Sequence, residues 1–468
     1  MKQIKKSNPS KTAIFAGAAA LMALVPGVHA QTSVDNLLNK LEQKGILTPS
    51  EADELKAENA TNSVADFNQQ MNSRFPTPDW ITSYKFYGDF RGRLDERATP
   101  NPAQQDNLRV RYRLRVGLQI NMKDNLQAGF RLISDDSSST GLGGNPLSGN
   151  TTMQGNATKK FIYVDEAYGK WMPITNDDWM VTTTIGKMEQ PFQETPMVYD
   201  VDYTPEGGAL QSTYKLDDWN SLAFNTAAFV LAYSGSAAQN MSFLYGGQLL
   251  WTANWTGRFS TTVGGAGYEI VNTDLLTPGQ TGTGNTGNSV NAAGAPIYGF
   301  NPIVGEVTAT YKLDSFPLYR GAFPIKFVGE YMYNPSAPGP GGPIVGQAPS
   351  GNVGYYAGVI FGQAAKRGMW DIGYRYESLD ANAWFSQIVN DDDIVYNTAL
   401  VGPPARPAGF AGGTNIKGHL VTADYAFTDA LLFSLTCYIS SQIGNTNPGP
   451  GSTTSQAIHA MVDLMWKF

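Results

Sequence analysis

Cysteine, histidine and long apolar runs are scarce in this chain. Cys437 is the only cysteine among 468 residues, which excludes an internal disulfide, a cysteine-based metal site and a C-x-x-C-H haem attachment. No apolar run of about 18 residues occurs outside the N-terminal region, so the sequence predicts no membrane-spanning helix. No phosphate loop or dinucleotide fingerprint lies in a strand–turn–helix frame, and we therefore predict no cofactor.

The first thirty residues differ from the rest of the chain. Four lysines accompany the largely apolar stretch 12–25, and residues 28–30 have the sequence Val-His-Ala, which suits a cleavage site. We predict a cleaved secretory signal over residues 1–30. Its removal takes away four lysines and no acid, which changes the formal net charge from −7 to −11. An acidic exported chain is unsuited to nucleic acid, and we predict no such partner.

The most informative stretch is 108–122, because its residues alternate strictly in character. Every second residue is apolar, and the residues between them include Arg109, Arg111, Arg113 and Arg115. Side chains alternate faces along a strand, so one face is apolar and the other is basic. Unpaired arginines are not tolerated in a dry core, whereas lipid outside and water inside suits both faces. The stretch predicts a transmembrane β-strand, since about 9–11 residues cross the hydrocarbon.

Short and long connections alternate between strand-like segments from residue 80 onward. Short turns recur near residues 124, 176, 217, 256, 315, 366 and 429. This alternation is typical of the periplasmic turns and outer loops of an outer-membrane barrel. We predict an all-β fold: an antiparallel transmembrane β-barrel of about 16 strands over residues 80–468, with 18 strands as the alternative. Polar residues occupy both faces of 161–172 and 179–188, so the phase of those strands stays open.

The two ends of the predicted mature chain also carry signals. Residues 458–468 alternate and end on Phe468, which resembles the assembly signal of Gram-negative outer-membrane barrels. That implies the barrel-assembly machinery as a partner and outer-membrane lipid as the surroundings; the edge strand of a soluble sandwich is the alternative. Residues 31–60 have helical spacing with a capping box. We predict a short periplasmic helical hairpin and linker over residues 31–79.

Several motifs resemble a family of bacterial outer-membrane porins. They are Leu37-Leu38-Asn39-Lys40-Leu41, Asp165-Glu166-Ala167-Tyr168, Ile185-Gly186-Lys187-Met188 with Pro191-Phe192, and Gly413-Thr414-Asn415-Ile416-Lys417-Gly418-His419. The resemblance implies a bacterial outer-membrane channel for passive diffusion of small hydrophilic solutes, and no enzyme. A homotrimer is the usual state for porins of this strand count. The resemblance supplies neither a substrate nor a catalytic residue.

Seven arginines fall on three consecutive strands and form one basic wall if these faces point inward. They are Arg91, Arg93, Arg109, Arg111, Arg113, Arg115 and Arg131. Arginine stays charged and binds carboxylate or phosphate through a planar fork, so such a wall predicts a preference for anions. The alternative is that Asp89, Asp95 and loop acids neutralise the arginines as structural pairs.

The third long connection, residues 189–205, is the expected constriction. By resemblance to general porins, this connection folds into the lumen and places its acids opposite the basic wall. The alternative is a solvated outer loop. The candidate pore-lining acids are Glu189, Glu194, Asp200, Asp202 and, at the exit of the connection, Glu206.

Other features have simpler interpretations. The run Asp391-Asp392-Asp393 is interpreted as an exposed acidic loop rather than a divalent-cation site. His419 and His459 lie in different strands, and their spacing suggests no serine–histidine catalytic pair. The rival to a porin is a structural barrel that sheathes a partner protein or tethers the envelope through residues 31–60.

Overall fold

The computed structural model describes Glu51 and residues 78–101, 104–136, 143–235, 241–282, 286–340, 351–397, 408–444 and 455–468. The predicted helical hairpin of residues 31–60 lies outside the described residues, apart from Glu51. In the described ranges, no helix is long and apolar enough to cross a bilayer.

Sixteen antiparallel strands form one closed barrel, which confirms the predicted fold class and strand count. The last strand pairs with the first, from Lys467 opposite Asp89 to Ile458 opposite Ala98, and this pairing closes the sheet. The strands are β1 (Ile81–Ala98), β2 (Asn107–Met122), β3 (Leu126–Asp135), β4 (Phe161–Thr175), β5 (Trp179–Lys187), β6 (Glu206–Lys215), β7 (Asn220–Tyr233), β8 (Met241–Asn254), β9 (Phe259–Val271), β10 (Ile303–Leu313), β11 (Phe323–Tyr333), β12 (Val353–Gly362), β13 (Trp370–Leu379), β14 (Ile416–Ala426), β15 (Leu431–Gln442) and β16 (Ala457–Lys467).

Small elements lie in the long connections. The two-residue strand Thr151–Thr152 pairs with β2, and Val395–Asn397 pairs with Gly409–Ala411. A 3-10 turn, Thr273–Leu275, precedes the one-turn helix α1 (Pro278–Thr281). Pro278 suits the first helical position because it has no N–H to leave unpaired there, and Gly282 ends the helix with a φ of 80°.

The alternation of β2 follows the wall of the barrel. Arg111 and Arg113 are buried inside, whereas Val110 and Leu114 are exposed on the outer surface. Apolar side chains on the outside and charged side chains on the inside match lipid around the barrel and a polar lumen. The period of two in the sequence therefore assigned the faces of this strand correctly.

The short connections lie at one end of the barrel and carry the residues that tight turns need. Between β2 and β3, Asp124 and Asn125 have φ angles of 60° and 58°, a left-handed conformation that Asn and Asp tolerate best among non-glycine residues. Exposed tryptophan rings lie beside these turns, as the sequence predicts for an interfacial girdle. They are Trp171, Trp179, Trp219, Trp255 and Trp466.

A β-bulge interrupts the pairing of β3 with β4. Arg131 lies opposite Glu166, but Leu132 lies opposite Val164, so Asp165 is an extra residue on β4. A bulge turns two successive side chains toward one face. This explains why polar residues of 161–172 do not follow a single alternation.

A lysine on the lipid-facing surface should destabilise the barrel. Leu249 lies midway along β8 and is 54% exposed on the outer surface. We expect Leu249→Lys to lower the free energy of unfolding by about 2–4 kcal/mol, because the ammonium would lie in hydrocarbon. Equilibrium unfolding by guanidinium chloride in lipid vesicles measures the change in free energy, with Leu249→Met as control. Equal stability of the two variants would show that this surface does not face lipid.

Candidate functional site

The predicted basic wall lies inside the barrel and contains one more member than the sequence indicated. Arg97 shares the phase of Arg91 and Arg93 on β1, and its guanidinium lies 3.6 Å from Asp95. We call the set of eight the arginine wall. Its members are Arg91, Arg93, Arg97, Arg109, Arg111, Arg113, Arg115 and Arg131.

One carboxylate serves three arginines at the long-loop end of the wall. Asp95 is fully buried, and its oxygens lie 2.7 Å from Arg109, 3.3 Å from Arg111 and 3.6 Å from Arg97. His459 approaches the other side of Asp95 at 3.2 Å. Asp95 is therefore the hub of the outer part of the wall.

The middle of the wall is balanced between acids and arginines. Arg93 binds both oxygens of Asp463 at 2.8 Å and also contacts Asp392 of a long loop. Arg113 donates to Asp202 at 2.8 Å and to Asp89 at 3.2 Å.

Two further arginines complete this middle section. Arg115 donates to Asp89 at 2.7 Å and lies 3.7 Å from Asp202. Arg91 instead binds a neutral group, the side-chain oxygen of Asn150, at 2.7 Å. Its nearest wall carboxylate, Asp463, lies 4.0 Å away. Asp89, Asp202 and Asp463 thus each contact two guanidiniums, whereas Asp392 contacts Arg93 alone among the described arginines.

Acids outnumber arginine at the deepest member of the wall. Arg131 contacts Glu166 at 2.6 Å, Glu189 at 3.2 Å and also Asp165. The bulge in β4 makes this possible, because it turns both Asp165 and Glu166 toward Arg131. The structural pairing that the sequence left as an alternative is therefore present along the whole wall.

The third long loop, residues 188–205, reaches strands on separate sides of the barrel. Glu189 and Asp202 contact arginines of β3 and β2. At the other end of its path, the backbone N–H of Gln193 donates to Gln248 of β8, and that of Thr195 donates to Glu330 of β11. A segment that touches both sides must cross the lumen.

The five predicted acids lie in different places. Glu189 and Asp202 contact the arginine wall itself instead of facing it across a gap. Glu194 lies on the far side, where it accepts hydrogen bonds from Tyr268 and Gln248. Asp200 is buried beside another loop, and Glu206 pairs with Lys187 at 3.5 Å.

A second loop, residues 380–394, folds inward and packs on the third. The indole N–H of Trp384 donates to the carbonyl of Val198, and the N–H of Asp200 donates to the carbonyl of Ile388, both at 2.8 Å. We call segments 196–200 and 384–390 the loop clasp. Their apolar side chains pack with inward-facing apolar residues of the barrel strands in one buried cluster. The cluster includes Phe192, Met197, Tyr199, Phe229, Leu244, Tyr268, Met332, Trp384, Phe385 and Ile388.

Buried asparagines fix the clasp to neighbouring loops. The side-chain amide of Asn288 donates to the carbonyls of Ala381 and Trp384 at 2.7 and 2.8 Å. The amide of Asn334 donates to the carbonyl of Asn382 at 2.7 Å. Each amide satisfies backbone carbonyls that would otherwise be buried without a partner. Apart from the abundance of asparagine in the loops, no sequence pattern predicts this network.

The interpretation of Asp391, Asp392 and Asp393 as an exposed acidic loop is wrong. Asp393 is only 5% exposed and accepts a hydrogen bond from Ser440, and Asp392 contacts Arg93. The run lies inside the barrel because buried arginines need loop carboxylates as partners. Among the described residues, no group of three or more His, Cys, Asp or Glu side chains could hold a metal ion.

Burial divides the loop carboxyls into two classes. Burial and the charge of Asp392 raise the pKa of Asp391 to about 7, and burial with the charge of Asp391 raises the pKa of Asp200 well above its usual range. Burial also raises the pKa of Asp393 to about 6. For Asp202, burial opposes ionisation, but Arg113 and Arg91 more than offset it and lower the pKa.

The two strand histidines lie on different faces of the wall. His459 is fully buried inside, where its Nδ1 donates to the carbonyl of Asp392 at 2.6 Å. His419 is exposed on the outer surface beside the hydroxyl of Tyr374. They cannot act together at one centre.

Comparison with known proteins finds a match to one family model over part of the chain and several similar solved structures. Residues 98–291 match the model of the family described as "Putative porin". Similar solved structures include OmpF of Salmonella typhi in complex with daunomycin (TM-score 0.43, 10% identity, covering 82% of this chain and 98% of that one). OprB of Pseudomonas putida at high pH is similar with a TM-score of 0.47 and 10% identity, and the match covers 82% of this chain and 94% of that one. The outer-membrane channel DcaP of Acinetobacter baumannii is similar with a TM-score of 0.43 and 11% identity, and the match covers 82% of this chain and 97% of that one.

No curated protein matches the chain. The family match covers the arginines from Arg109 onward, the third long loop and the strands between them. The resemblance of this chain to bacterial porins is therefore confirmed over residues 98–291.

Proposed function

We propose that the chain forms a water-filled channel in the bacterial outer membrane for passive diffusion of small hydrophilic solutes. The observation that carries the proposal is the series of charged side chains on the inner face of a closed barrel, part of which remains exposed to water. Arg109 at the long-loop end is 22% exposed, Arg115 deeper in the wall is 20% exposed, and Glu189 is 76% exposed. A polar inner face of this kind is characteristic of channels filled with water.

The loop clasp supports a limit on solute size. It fills the side of the lumen that faces β7 to β13 with packed apolar side chains, and we infer from this that solutes pass along the arginine wall. The same clasp favours the second candidate, a plugged structural barrel that sheathes or tethers. Conductance separates the two, because a plugged barrel would pass no ions.

The anion preference predicted from the sequence is retained as part of the proposal. Pairing with carboxylates weakens the case for the whole wall, but three guanidiniums share Asp95 at the long-loop end. A solute that enters from that end meets an excess of positive charge, and such a ring of charge selects ions. Glu194 and the acids around Arg131 act against this preference deeper in the lumen.

Assembly and oligomeric state complete the proposal. We infer that the signal over residues 1–30 is removed, that the last strand is recognised by the barrel-assembly machinery and that the chain forms a homotrimer. The backbone of Phe468 exchanges two hydrogen bonds with Gly88, at 2.8 and 3.1 Å, so the last residue lies at the seam that closes the barrel. β16 must therefore pair with β1 before the sheet can close.

Single-channel recording in a planar bilayer tests the proposal. We expect steady open steps and an anion-selective reversal potential under a salt gradient. Arg109→Gln should shift that potential toward cations, because Asp95 would then be shared by two arginines. Arg258→Gln is the matched control, since Arg258 pairs with Asp314 at an exposed turn of the opposite end. A folded barrel without conductance would favour the structural role, and a cation-selective wild type would reject the anion preference.

Conductance should depend on pH through the loop clasp. Asp391 directly follows the clasp, its N–H donates to Asp200, and its pKa is raised in the folded protein. Its contribution to clasp stability is therefore complete below the usual carboxyl pKa of about 4 and is lost as the pH rises through about 7. The pKa of Asp200 is also raised, so its contribution to clasp stability is likewise lost as the pH rises. We therefore expect larger or more frequent open steps at pH 8 than at pH 5.

Asp391→Asn should reduce this pH dependence, because an amide cannot ionise. Asp202 does not contribute in this window, since its lowered pKa places its titration below pH 4. Asp217→Asn, in an exposed short turn, is the control that should keep the wild-type profile. An unchanged profile in Asp391→Asn would assign the pH dependence to other groups.

A further inference from the structure

Charge balance is uneven along the arginine wall. At the long-loop end, Arg97, Arg109 and Arg111 share the single carboxylate of Asp95. In the middle, guanidiniums and carboxylates alternate, and at the deepest member three carboxylates surround Arg131. Positive charge is therefore in excess at the outer end and negative charge at the inner end.

The three outer guanidiniums also have unused hydrogen-bond donors. The Nε–H groups of Arg97, Arg109 and Arg111 are buried and have no hydrogen-bond partner, as is also true of Arg91 and Arg113 in the middle of the wall. A buried donor without a partner has a free-energy cost relative to a satisfied one. An acceptor that reached these groups would recover that energy, so the set is complementary to an additional ligand oxygen.

Two loop carboxylates reduce this excess from a distance. Asp391 acts electrostatically on Arg97 and Arg111, and Asp392 acts on Arg109. Among the described residues, no carboxylate other than Asp95 lies within 4.0 Å of these three guanidiniums. The fourth group on Asp95 is His459, whose Nδ1 donates to a backbone carbonyl. An imidazole contributes no negative charge to the site. The side chains of Arg97 and Arg109 are 21% and 22% exposed, which leaves them accessible from the lumen.

We propose that Arg97, Arg109 and Arg111 form a binding site for a small soluble oxyanion, a carboxylate or phosphate, at the outer mouth of the channel. This site deepens the proposed function and rests on it for its role in transport. Planar guanidinium forks match the oxygen pairs of these anions, which chloride cannot reproduce. Deeper in the wall, the balanced and acidic sections hold the anion less well, so a solute that docks at the mouth is released inward instead of being trapped.

Calorimetric titration of the purified, detergent-solubilised barrel tests the site without relying on transport. We expect saturable binding of inorganic phosphate and of acetate, weakened at least tenfold in Arg97→Gln and in Arg109→Gln. Arg109→Lys keeps the charge but loses the fork, and it should bind phosphate more weakly than wild type. Arg258→Gln, remote from the site, should bind as wild type does. Circular dichroism establishes that each variant remains a barrel.

Three outcomes would overturn the site. These are absence of saturable binding to wild type, wild-type affinity in Arg97→Gln and Arg109→Gln, and competition with phosphate by vesicles of a phosphomonoester lipid. The last would assign the arginines to a lipid headgroup. Single-channel recording on the same samples separates the two proposals. Conductance without phosphate binding rejects only the site, whereas binding without conductance rejects the channel.

Discussion

Burial of guanidinium groups inside a membrane barrel is the constraint on which the rest of this structure depends. β1, β2 and β3 turn eight arginines inward, and an unpaired charge at a poorly solvated position is costly. The strands supply part of the compensation through Asp89, Asp95 and Asp463. The remainder comes from long loops, because Asp202 and Asp392 lie far from the arginines in sequence and reach them only when their loops fold into the lumen.

The same requirement organises the interior. Once Asp202 and Asp392 are held at the wall, the segments that carry them must lie side by side across the lumen. Their backbones then bond to each other, and their apolar residues pack around Trp384. The side-chain amides of Asn288 and Asn334 satisfy backbone carbonyls buried by that packing, among them the carbonyl of Asn382. Charge pairing, loop folding and the narrowing of the passage are therefore one coupled arrangement.

The sequence predicted the features that follow from local periodicity. Strict alternation in β2 identified the arginine face, and the spacing of turns gave sixteen strands. It could not predict the phase of β4, because the bulge at Asp165 depends on pairing with Arg131. It missed Arg97, although that residue shares the parity of Arg91 and Arg93. It misplaced Asp391 to Asp393, since a polar loop looks the same in sequence whether water or buried arginines surround it.

An arginine wall can serve structure and transport at once only if its pairing is incomplete somewhere. Where each guanidinium has its own carboxylate, the pair fixes loop and strand but offers a passing solute little net charge. Where three guanidiniums share Asp95, the hub still holds β1, β2 and β16 together through His459, yet the contacting groups carry more positive than negative charge and the Nε–H donors have no partner. The uneven distribution of acids, more than the number of arginines, determines where along the wall an anion is attracted.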